Sequence, residues 1–203
     1  MNFLEKKKIL LIISGGIAAY KSLDLIRSLI KIHCEVKTIL TKGGAEFVTP
    51  LSIASLSKNK VYSDMYSVEN ESEMDHISLS RWADLILIAP ATSNIIAKMS
   101  QGISDDLATT VVQASNKSIF VCPAMNVRMW EHASNKQNLE KIKSYNYRII
   151  GPFNGEMACG EYGDGRMADI KHILNELDNF FKSKSNNKKF RAVVTAGPTR
   201  EYI

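Results

Sequence analysis

Three side chains in this sequence, those of His76, Asn126 and Cys159, are of the types that proton transfer and substrate binding need. His76 comes shortly before a buried apolar run, and an imidazole exchanges protons near neutral pH. Asn126 follows a proline and another apolar run, a position that suits either a helix cap or a ligand contact. Cys159 lies in a glycine-rich segment, from which a thiol can move onto a ligand. Each of these side chains also has an ordinary structural explanation. Whether it is functional therefore depends on the secondary-structure elements around it.

The glycine-rich segment spans residues 151–167, GPFNGEMACGEYGDGRM, and contains five glycines. Its pattern fits neither helical nor strand periodicity, which predicts a mobile flap over a site. Arg166 in this segment carries a guanidinium that can bind a substrate phosphate through two hydrogen bonds. Cys34 and Cys122 lie among apolar residues instead, and we expect them to fill the core.

The first element that must position these side chains lies in residues 6–30, KKKILLIISGGIAAYKSLDLIRSLI. Residues 9–13 form an apolar, β-branched run typical of a strand buried in a parallel sheet. The pair Gly15 and Gly16 ends that strand, and apolar residues recur at helical spacing from Ile17 onward. A helix that starts at such a turn directs free backbone N–H groups and its dipole at an anion. The turn alone predicts either a phosphate site or a tight connection without a ligand.

Four further strands are predicted at residues 35–40, 85–89, 118–122 and 147–150. The predicted helices cover residues 50–56, 107–114, 135–144 and 169–181, and one more begins at residues 92–94. This alternation predicts an α/β fold with a doubly wound, mostly parallel sheet, that is, a flavodoxin-like or Rossmann-like three-layer sandwich.

Small polar residues follow two of these strands. Thr41 stands where a dinucleotide-binding fold carries an acidic residue for the ribose, so this strand end suits a phosphate and a mononucleotide. Pro90 is expected to end its strand. The residues after it can each cap a helix or donate to a ligand: Thr92, Ser93 and Asn94. Ligands of open α/β sheets bind at this carboxyl edge.

The composition is that of an ordinary globular protein, with 45% apolar and 23% charged residues among 203. Apolar runs are too short to span a bilayer, and the first residues lead into a core strand with no signal-peptide cleavage site, which predicts a cytoplasmic protein. Much of the net charge of +5 comes from terminal and linker lysines, which favours solvated charge over nucleic-acid binding. Three unevenly spaced cysteines predict neither a disulfide framework nor a metal site.

Four motifs taken together resemble the flavin-dependent cysteine decarboxylases, and within them the phosphopantothenoylcysteine decarboxylases. They are SGGIAAYK at 14–21, HISLSRWADLILIAPATSN at 76–94, PAMN at 123–126 and ACGEYGDGRM at 158–167. The resemblance implies one FMN-binding decarboxylase domain in residues 1–181, and the polar residues 182–190 predict a flexible linker. Residues 191–203 are similar to the first strand and turn of a phosphopantothenate–cysteine ligase domain, and from so short a piece we expect no ligase activity.

The resemblance also implies roles residue by residue, with FMN as the cofactor and no metal. The phosphate end of FMN would be held by Gly15, Gly16, Ile17 and Thr41, and the rest of the flavin by Thr92, Ser93, Asn94 and Ala124. His76, Asn126 and Cys159 would be catalytic, with Asn126 holding the substrate carboxylate. Arg166 would also contact the substrate. Phe47 and Met129 occupy less specific positions of the motifs, and their roles stay open.

The implied reaction is the decarboxylation of 4'-phosphopantothenoylcysteine to 4'-phosphopantetheine in coenzyme A biosynthesis. A carboxylate on a carbon that bears only an amide nitrogen is slow to leave, because the resulting carbanion is not delocalised. Hydride transfer to FMN from the carbon next to sulfur gives a thioaldehyde, and loss of carbon dioxide then gives a stabilised enethiolate. His76 would assist proton removal, and Cys159 would protonate the enethiolate while the hydride returns.

Two other functions fit the same fold: a flavin prenyltransferase and a non-catalytic flavoprotein that regulates a partner enzyme. The PAMN and ACGEYG motifs favour the decarboxylase over the prenyltransferase. A regulatory relative can lose the histidine, asparagine or cysteine, whereas all three are present here. Related enzymes form trimers or dodecamers, so the resemblance implies a homo-oligomer in which His76 serves a neighbour's flavin. No nucleic-acid or membrane partner is expected.

Overall fold

The computed structural model describes residues 2–63 and 75–186 of the chain. The strands are β1 (Lys8–Ile13), β2 (Glu35–Leu40), β3 (Val61–Tyr62), β4 (Leu85–Ala91), β5 (Ser118–Pro123), β6 (Arg148–Ile149), β7 (Phe153–Glu156) and β8 (Tyr162–Arg166). The helices are α1 (Ala19–Lys31), α2 (Lys42–Ala45), α3 (Pro50–Ser57), α4 (Asp75–Trp82), α5 (Ser93–Gln101), α6 (Leu107–Gln113), α7 (Val127–Glu131), α8 (Ala133–Ser144) and α9 (Ile170–Asn186). Within these residues, no helix combines the length and apolar character needed to cross a membrane.

Strands β1 to β6 form one parallel sheet in the order β3-β2-β1-β4-β5-β6. The chain winds outward from β1 through β2 to β3, and it then returns to the middle at β4 and winds outward the other way. The winding therefore reverses between β1 and β4, and ligands of such sheets bind at this switch point, outside the carboxyl ends of the strands. Strands β7 and β8 form a separate antiparallel hairpin.

The core lies on both faces of the sheet, and β1 contributes to both. Ile9, Leu11 and Ile13 pack in one apolar cluster with residues of α1 and α9, whereas Leu10 and Ile12 pack in a second cluster with residues of α5 and α6. Side chains of a strand alternate between faces, so a central strand covered on both sides has no position for a polar residue. The doubly wound three-layer sandwich is therefore confirmed.

The predicted strands and helices are largely confirmed, with several differences near the site, among them the short helices α2 and α7, which were not predicted. Strand β4 does not end at Pro90 but continues through Ala91, with a shift of register against β5 between Ile88 and Ala91. A proline lacks the N–H that a regular ladder needs, which accounts for the irregularity at this position. The sequence analysis also missed helix α4, the element that carries His76.

The glycine-rich segment is not irregular, and this expectation was wrong. Residues 153–156 and 162–166 pair as the β7–β8 hairpin. At the other end of the domain, α9 continues through Asn186, so residues 182–186 of the predicted linker are helical. The rest of the linker and the predicted ligase-like strand at 191–203 lie outside the described residues.

Candidate active site

The site is built at the switch point, where Ser14 connects the ends of β1 and β4. The Ser14 backbone N–H and hydroxyl donate to the Pro90 carbonyl at 3.3 and 2.7 Å, and the Thr92 N–H donates to Ser14 Oγ at 3.1 Å. Ser14 is buried, so these bonds fix the spacing of the two strand ends without competition from water. The sequence analysis missed this role, although a hydroxyl between a buried strand and a glycine pair was a signal.

The turn after β1 leaves backbone N–H groups available to a ligand. Among the described residues, no acceptor is found for the N–H groups of residues 15–18, and no side chain caps α1. Gly16 has a φ of 95°, a left-handed conformation that glycine adopts without strain. A Cβ on Gly15 would lie 3.2 Å from the Gly43 carbonyl oxygen, so the ends of β1 and β2 approach closely because both loops carry glycine. The turn thus has the donors and the open space that an anion needs.

Thr41 supports this turn from the end of β2. Its hydroxyl donates to the Ile13 carbonyl at 3.3 Å and accepts from the Gly44 N–H at 3.1 Å, which caps α2. The hydroxyl proton is therefore already used within the protein. In this arrangement Thr41 positions the neighbouring backbone rather than donating to a phosphate.

A cavity of about 640 Å³, which we call the polar cavity, opens at these strand ends. Of the residues predicted to bind FMN, it is lined by Gly15, Thr41, Thr92 and Asn94, and Lys42, Lys98, Asp105, Asp106 and Met129 also line it. Thr92 caps α5, since its Oγ1 accepts from the Ile95 N–H at 3.3 Å. Lys98 Nζ lies 2.7 Å from an Asp105 carboxylate oxygen, and this hydrogen bond is the main reason that the pKa of Lys98 is raised.

The β7–β8 hairpin is anchored to the loop that follows β5. The Met125 N–H donates to the Gly165 carbonyl at 3.0 Å, and a Cβ on Gly165 would overlap the Met125 carbonyl oxygen. Gly165 also has a φ of 144°, so glycine is required there on both counts. The next residue, Asn126, caps α7: its Oδ1 accepts from the Met129 N–H at 2.8 Å. No partner is found for Asn126 Nδ2 in the described part of the chain, so this group stays able to donate to a ligand.

A second cavity of about 630 Å³, which we call the hairpin cavity, lies between the hairpin, α1 and the loop after β5. It brings together the predicted site residues Gly16, Ile17, Ala124, Asn126, Cys159 and Arg166, and Lys21, Phe47, Met125, Glu156 and Met157 also line it. Because Gly15 lines the polar cavity and Gly16 the hairpin cavity, the two spaces adjoin at the glycine turn. The predicted site residues thus converge on one edge of the sheet, but in two cavities.

Cys159 lies at the tip of the hairpin, in a turn closed by the hydrogen bond from the Met157 N–H to the Glu161 carbonyl. Its thiol is exposed and lies 3.7 Å from a Glu161 carboxylate oxygen, to which it donates. Cys34 and Cys122 are buried, as the sequence predicts. Burial raises the pKa of Cys34 to about 12 and also raises that of Cys122, so both remain protonated and inert.

Two predicted site residues of the described part of the chain, His76 and Ser93, line neither of these two cavities. His76 is half-buried on α4, and Ser93 is the first residue of α5. The described residues contain no cluster of three or more His, Cys, Asp or Glu side chains that could hold a metal ion.

Comparison with known proteins identifies relatives along the whole described domain. The chain is 42% identical over 200 residues to the coenzyme A biosynthesis bifunctional protein CoaBC of Haemophilus influenzae, covering 98% of this chain and 50% of that protein. The Bacillus subtilis protein of the same name is 39% identical over 202 residues, again with 98% and 50% covered. The chain therefore spans about half the length of the curated relatives it matches.

Solved structures of the same fold carry related names. A PPC decarboxylase mutant with cysteine replaced by serine, complexed with pantothenoylaminoethenethiol, matches with a TM-score of 0.78 and 29% identity over 88% of this chain and 100% of that chain. The FMN binding protein AtHal3 matches with a TM-score of 0.75 and 32% identity over 88% and 98%. Residues 2–182, which include both cavities, match the family described as Flavoprotein. The chain belongs to the flavoprotein family.

Proposed function

We propose that the chain is an FMN-dependent decarboxylase that converts 4'-phosphopantothenoylcysteine to 4'-phosphopantetheine. The observation that carries the proposal is the hairpin cavity, where Asn126 and Cys159 lie beside a glycine turn suited to a nucleotide phosphate. The names of the relatives support it: coenzyme A biosynthesis for the sequence relatives, and PPC decarboxylase for the solved structure.

The residues present fit a flavin mononucleotide. Free N–H groups at residues 15–18 supply donors for a phosphate, and the contact between Gly15 and Gly43 keeps side chains out of the space beside them. The end of β2 carries Thr41 in place of the acidic residue that an adenosine ribose selects, which favours a mononucleotide. FMN, when bound here, supplies the acceptor and later the donor of a hydride.

Asn126 and Cys159 have the two remaining roles, which are substrate binding and proton donation. Asn126 can hold the substrate carboxylate through Nδ2, because its Oδ1 is already used in the α7 cap. After carbon dioxide leaves, the Cys159 thiol would give its proton to the carbon that lost the carboxylate, and bound FMN would supply a hydride for the carbon that bears sulfur. One proton thus replaces carbon dioxide, and no external oxidant or reductant is consumed. The solved PPC decarboxylase relative supports this order, since its cysteine-to-serine mutant is complexed with an ethenethiol.

We also propose that the active form is a homo-oligomer, a trimer or a dodecamer as the family resemblance implies. His76 lines neither the polar cavity nor the hairpin cavity of its own chain, which favours a catalytic role at the site of a neighbouring subunit. Ile17 and Tyr20 line the hairpin cavity and are 57% and 54% exposed, a pair of large apolar side chains that a second subunit would cover. Free cysteines at all three positions suit the cytoplasm, which is the proposed location.

Neither of the two alternative functions requires Asn126 and Cys159 to line the same cavity. A flavin prenyltransferase has no need of an asparagine and a cysteine that share one space, and a regulatory flavoprotein needs neither. The convergence of Asn126 and Cys159 therefore favours the decarboxylase.

Replacement of Cys159 by serine tests the proton donor. The Cys159→Ser variant should still release carbon dioxide but accumulate a product that lacks two hydrogen atoms, because the final protonation fails. Mass spectrometry of the product, with the visible spectrum as a control for bound flavin, makes the measurement. Release of phosphopantetheine at the wild-type rate would show that Cys159 is not the donor.

Replacement of His76 by asparagine tests the inter-subunit role. The His76→Asn variant should lose decarboxylation while it stays folded, yellow and oligomeric. A colourless variant would instead assign His76 to flavin binding. Mixing His76→Asn with Cys159→Ser subunits provides the control, since activity should return in hybrid oligomers only if the two residues serve one site from different chains.

A further inference from the structure

The wall of the polar cavity includes three charged side chains, which we call the Lys98 cluster: Lys98 of α5 and the two residues before α6, Asp105 and Asp106. Lys98 Nζ lies 2.7 Å from Asp105 Oδ1 and 3.4 Å from Asp106 Oδ2. The Lys98 side chain is 21% exposed, so solvent screens its ion pairs less than it screens a pair on the open surface. The hydrogen bond between Lys98 and Asp105 is the main reason that the pKa of Lys98 is raised and that of Asp105 lowered, so both groups stay charged near neutral pH.

The Lys98 cluster retains one hydrogen-bond donor and one acceptor. Both oxygens of Asp106 are used, because Oδ1 accepts from Thr109 and Oδ2 from Lys98. Asp105 is bonded through Oδ1, and no other residue in the described part of the chain donates to its Oδ2. An ammonium carries three N–H donors, of which Lys98 uses two. One Lys98 N–H and one Asp105 oxygen therefore remain available next to each other.

The two ends of the polar cavity differ in charge. Thr92 adjoins the glycine turn through its bond to Ser14, and Lys98 lies six residues later, about 9 Å along the axis of α5. At the glycine turn, the free N–H groups of residues 15–18 and the ammonium of Lys42 favour an anion. The Lys98 cluster combines two carboxylates with one ammonium, so its net charge is negative. It repels a phosphate and suits an uncharged group that has both a donor and an acceptor.

We infer that the Lys98 cluster binds the imide edge of the flavin ring, where Lys98 donates to a ring carbonyl and Asp105 accepts from the ring N3–H. The inference rests on the proposed function, which supplies FMN as the ligand. The imide of FMN has one N–H between two carbonyl groups, and it lies far from the phosphate along the molecule. The charges along the polar cavity therefore follow the same order as the groups along FMN.

This contact also selects one orientation of the bound flavin. A flavin bound in reverse would place its phosphate against the carboxylates of Asp105 and Asp106, where like charges repel. The dimethylbenzene edge of the ring has no donor and no acceptor. If that edge met the Lys98 cluster, the free N–H and the free oxygen would lose water without gaining a partner, which is costly. Only the imide edge satisfies both groups.

Binding of two flavins to the full chain, stripped of cofactor, tests the imide contact: FMN and FMN methylated at N3. The methyl group removes the single donor of the imide, so the wild type should bind methylated FMN at least about tenfold more weakly than FMN. Asp105→Ala should bind FMN about tenfold more weakly than the wild type does. It should also bind the two flavins with equal affinity, within about twofold, because the acceptor for N3–H is gone. Quenching of flavin fluorescence measures each dissociation constant.

Asp24→Ala is the matched control, since it removes a carboxylate that pairs with Arg27 at 3.0 Å on α1, outside both cavities. It should bind both flavins as the wild type does. Equal affinity of the wild type for the two flavins overturns the inference, and this comparison holds even if Asp105→Ala does not fold. An undiminished preference for FMN in Asp105→Ala also overturns it. A wild-type chain that binds neither flavin overturns the proposed function instead.

Discussion

The polar cavity and the hairpin cavity are nearly equal in volume, at about 640 and 630 Å³, but they are held in different ways. The polar cavity is framed by strand ends that Ser14 and Thr41 connect through buried and partly buried hydrogen bonds. The hairpin cavity is framed on one side by a two-stranded hairpin whose tip carries an exposed thiol. On the proposed function, the rigid polar cavity would hold part of the cofactor, and the hairpin cavity, which is also lined by predicted FMN residues, would admit the substrate.

The difference between the cavities indicates which part of the site has to be rigid. If the proposed function holds, hydride transfer needs a short, fixed path, which strand ends held by hydrogen bonds would provide. The proposed proton donor would act after carbon dioxide has left, and its position at a hairpin tip would allow it to approach at that stage. Substitutions in the hairpin cavity should therefore abolish activity and spare the flavin, whereas substitutions around the polar cavity should weaken the flavin first.

The largest effect is expected from Asn126→Asp. Aspartate keeps the oxygen that caps α7, so the free energy of unfolding should change by less than about 0.5 kcal/mol. A second carboxylate facing the substrate carboxylate costs several kcal/mol, so kcat/KM should fall about 1,000-fold. Decarboxylation assays and chemical denaturation make the two measurements. Asn126→Ala is the control that removes cap and donor together, and wild-type activity in Asn126→Asp would mean that Asn126 acts only as a cap.

The second-largest effect is expected from Gly165→Ala, which should lose about 100-fold in activity. The added Cβ collides with the Met125 carbonyl, so the hairpin and the segment that carries Asn126 must separate, and a shift of about 1 Å is enough for such a loss. Flavin affinity should change less than threefold. Gly160→Ala, at the hairpin tip with no atom within 4 Å of the added carbon, is a control for backbone strain alone. Equal losses of flavin affinity and activity in Gly165→Ala would contradict the proposed difference between the two cavities.

Ser14→Ala tests the polar cavity. It removes the hydroxyl that donates to Pro90 and accepts from Thr92, and it leaves a buried N–H without its acceptor. The free energy of unfolding should fall by about 1–3 kcal/mol, and flavin affinity should fall about tenfold, with kcat of the flavin-saturated enzyme nearly unchanged. Titration with FMN gives the affinity. Normal flavin binding in this variant would contradict the role of the strand ends. Ser22→Ala, which removes a buried hydroxyl bonded to Ala89 outside both cavities, is the matched control.

The smallest effect concerns the thiols and depends on pH. Burial raises the pKa of Cys34 from 9.0 to about 12, and its thiol donates to the Leu4 carbonyl. Above pH 9.0 the unfolded chain releases this proton and the folded chain keeps it. The free energy of unfolding should therefore fall with rising pH, by about 1.4 kcal/mol per pH unit for one thiol.

Alkaline denaturation of the wild type and Cys34→Ala measures this slope, which should be smaller in the variant. Identical slopes would contradict the assignment. At pH 7 a thiol reagent should modify Cys159 alone in the native protein, and all three cysteines after unfolding.

Local sequence signals predicted much of the fold. The run at 35–40 matches β2, since its β-branched residues favour a strand. Thr92 was predicted at a helix start and caps α5, because its side-chain oxygen accepts a free N–H group of the first turn. The hairpin was missed because its glycines adopt conformations that carry no periodic signal, and its pairing depends on contact with Met125.

The sequence by itself determined the family, the layered α/β fold and the residue types of the site, because buried strands, caps and motifs are encoded locally. The tertiary structure alone decided how these residues group: Gly15 with Thr41 in one cavity, and Asn126 with Cys159 in the other. Such groupings arise from strand order and loop packing, and no spacing along the chain encodes them.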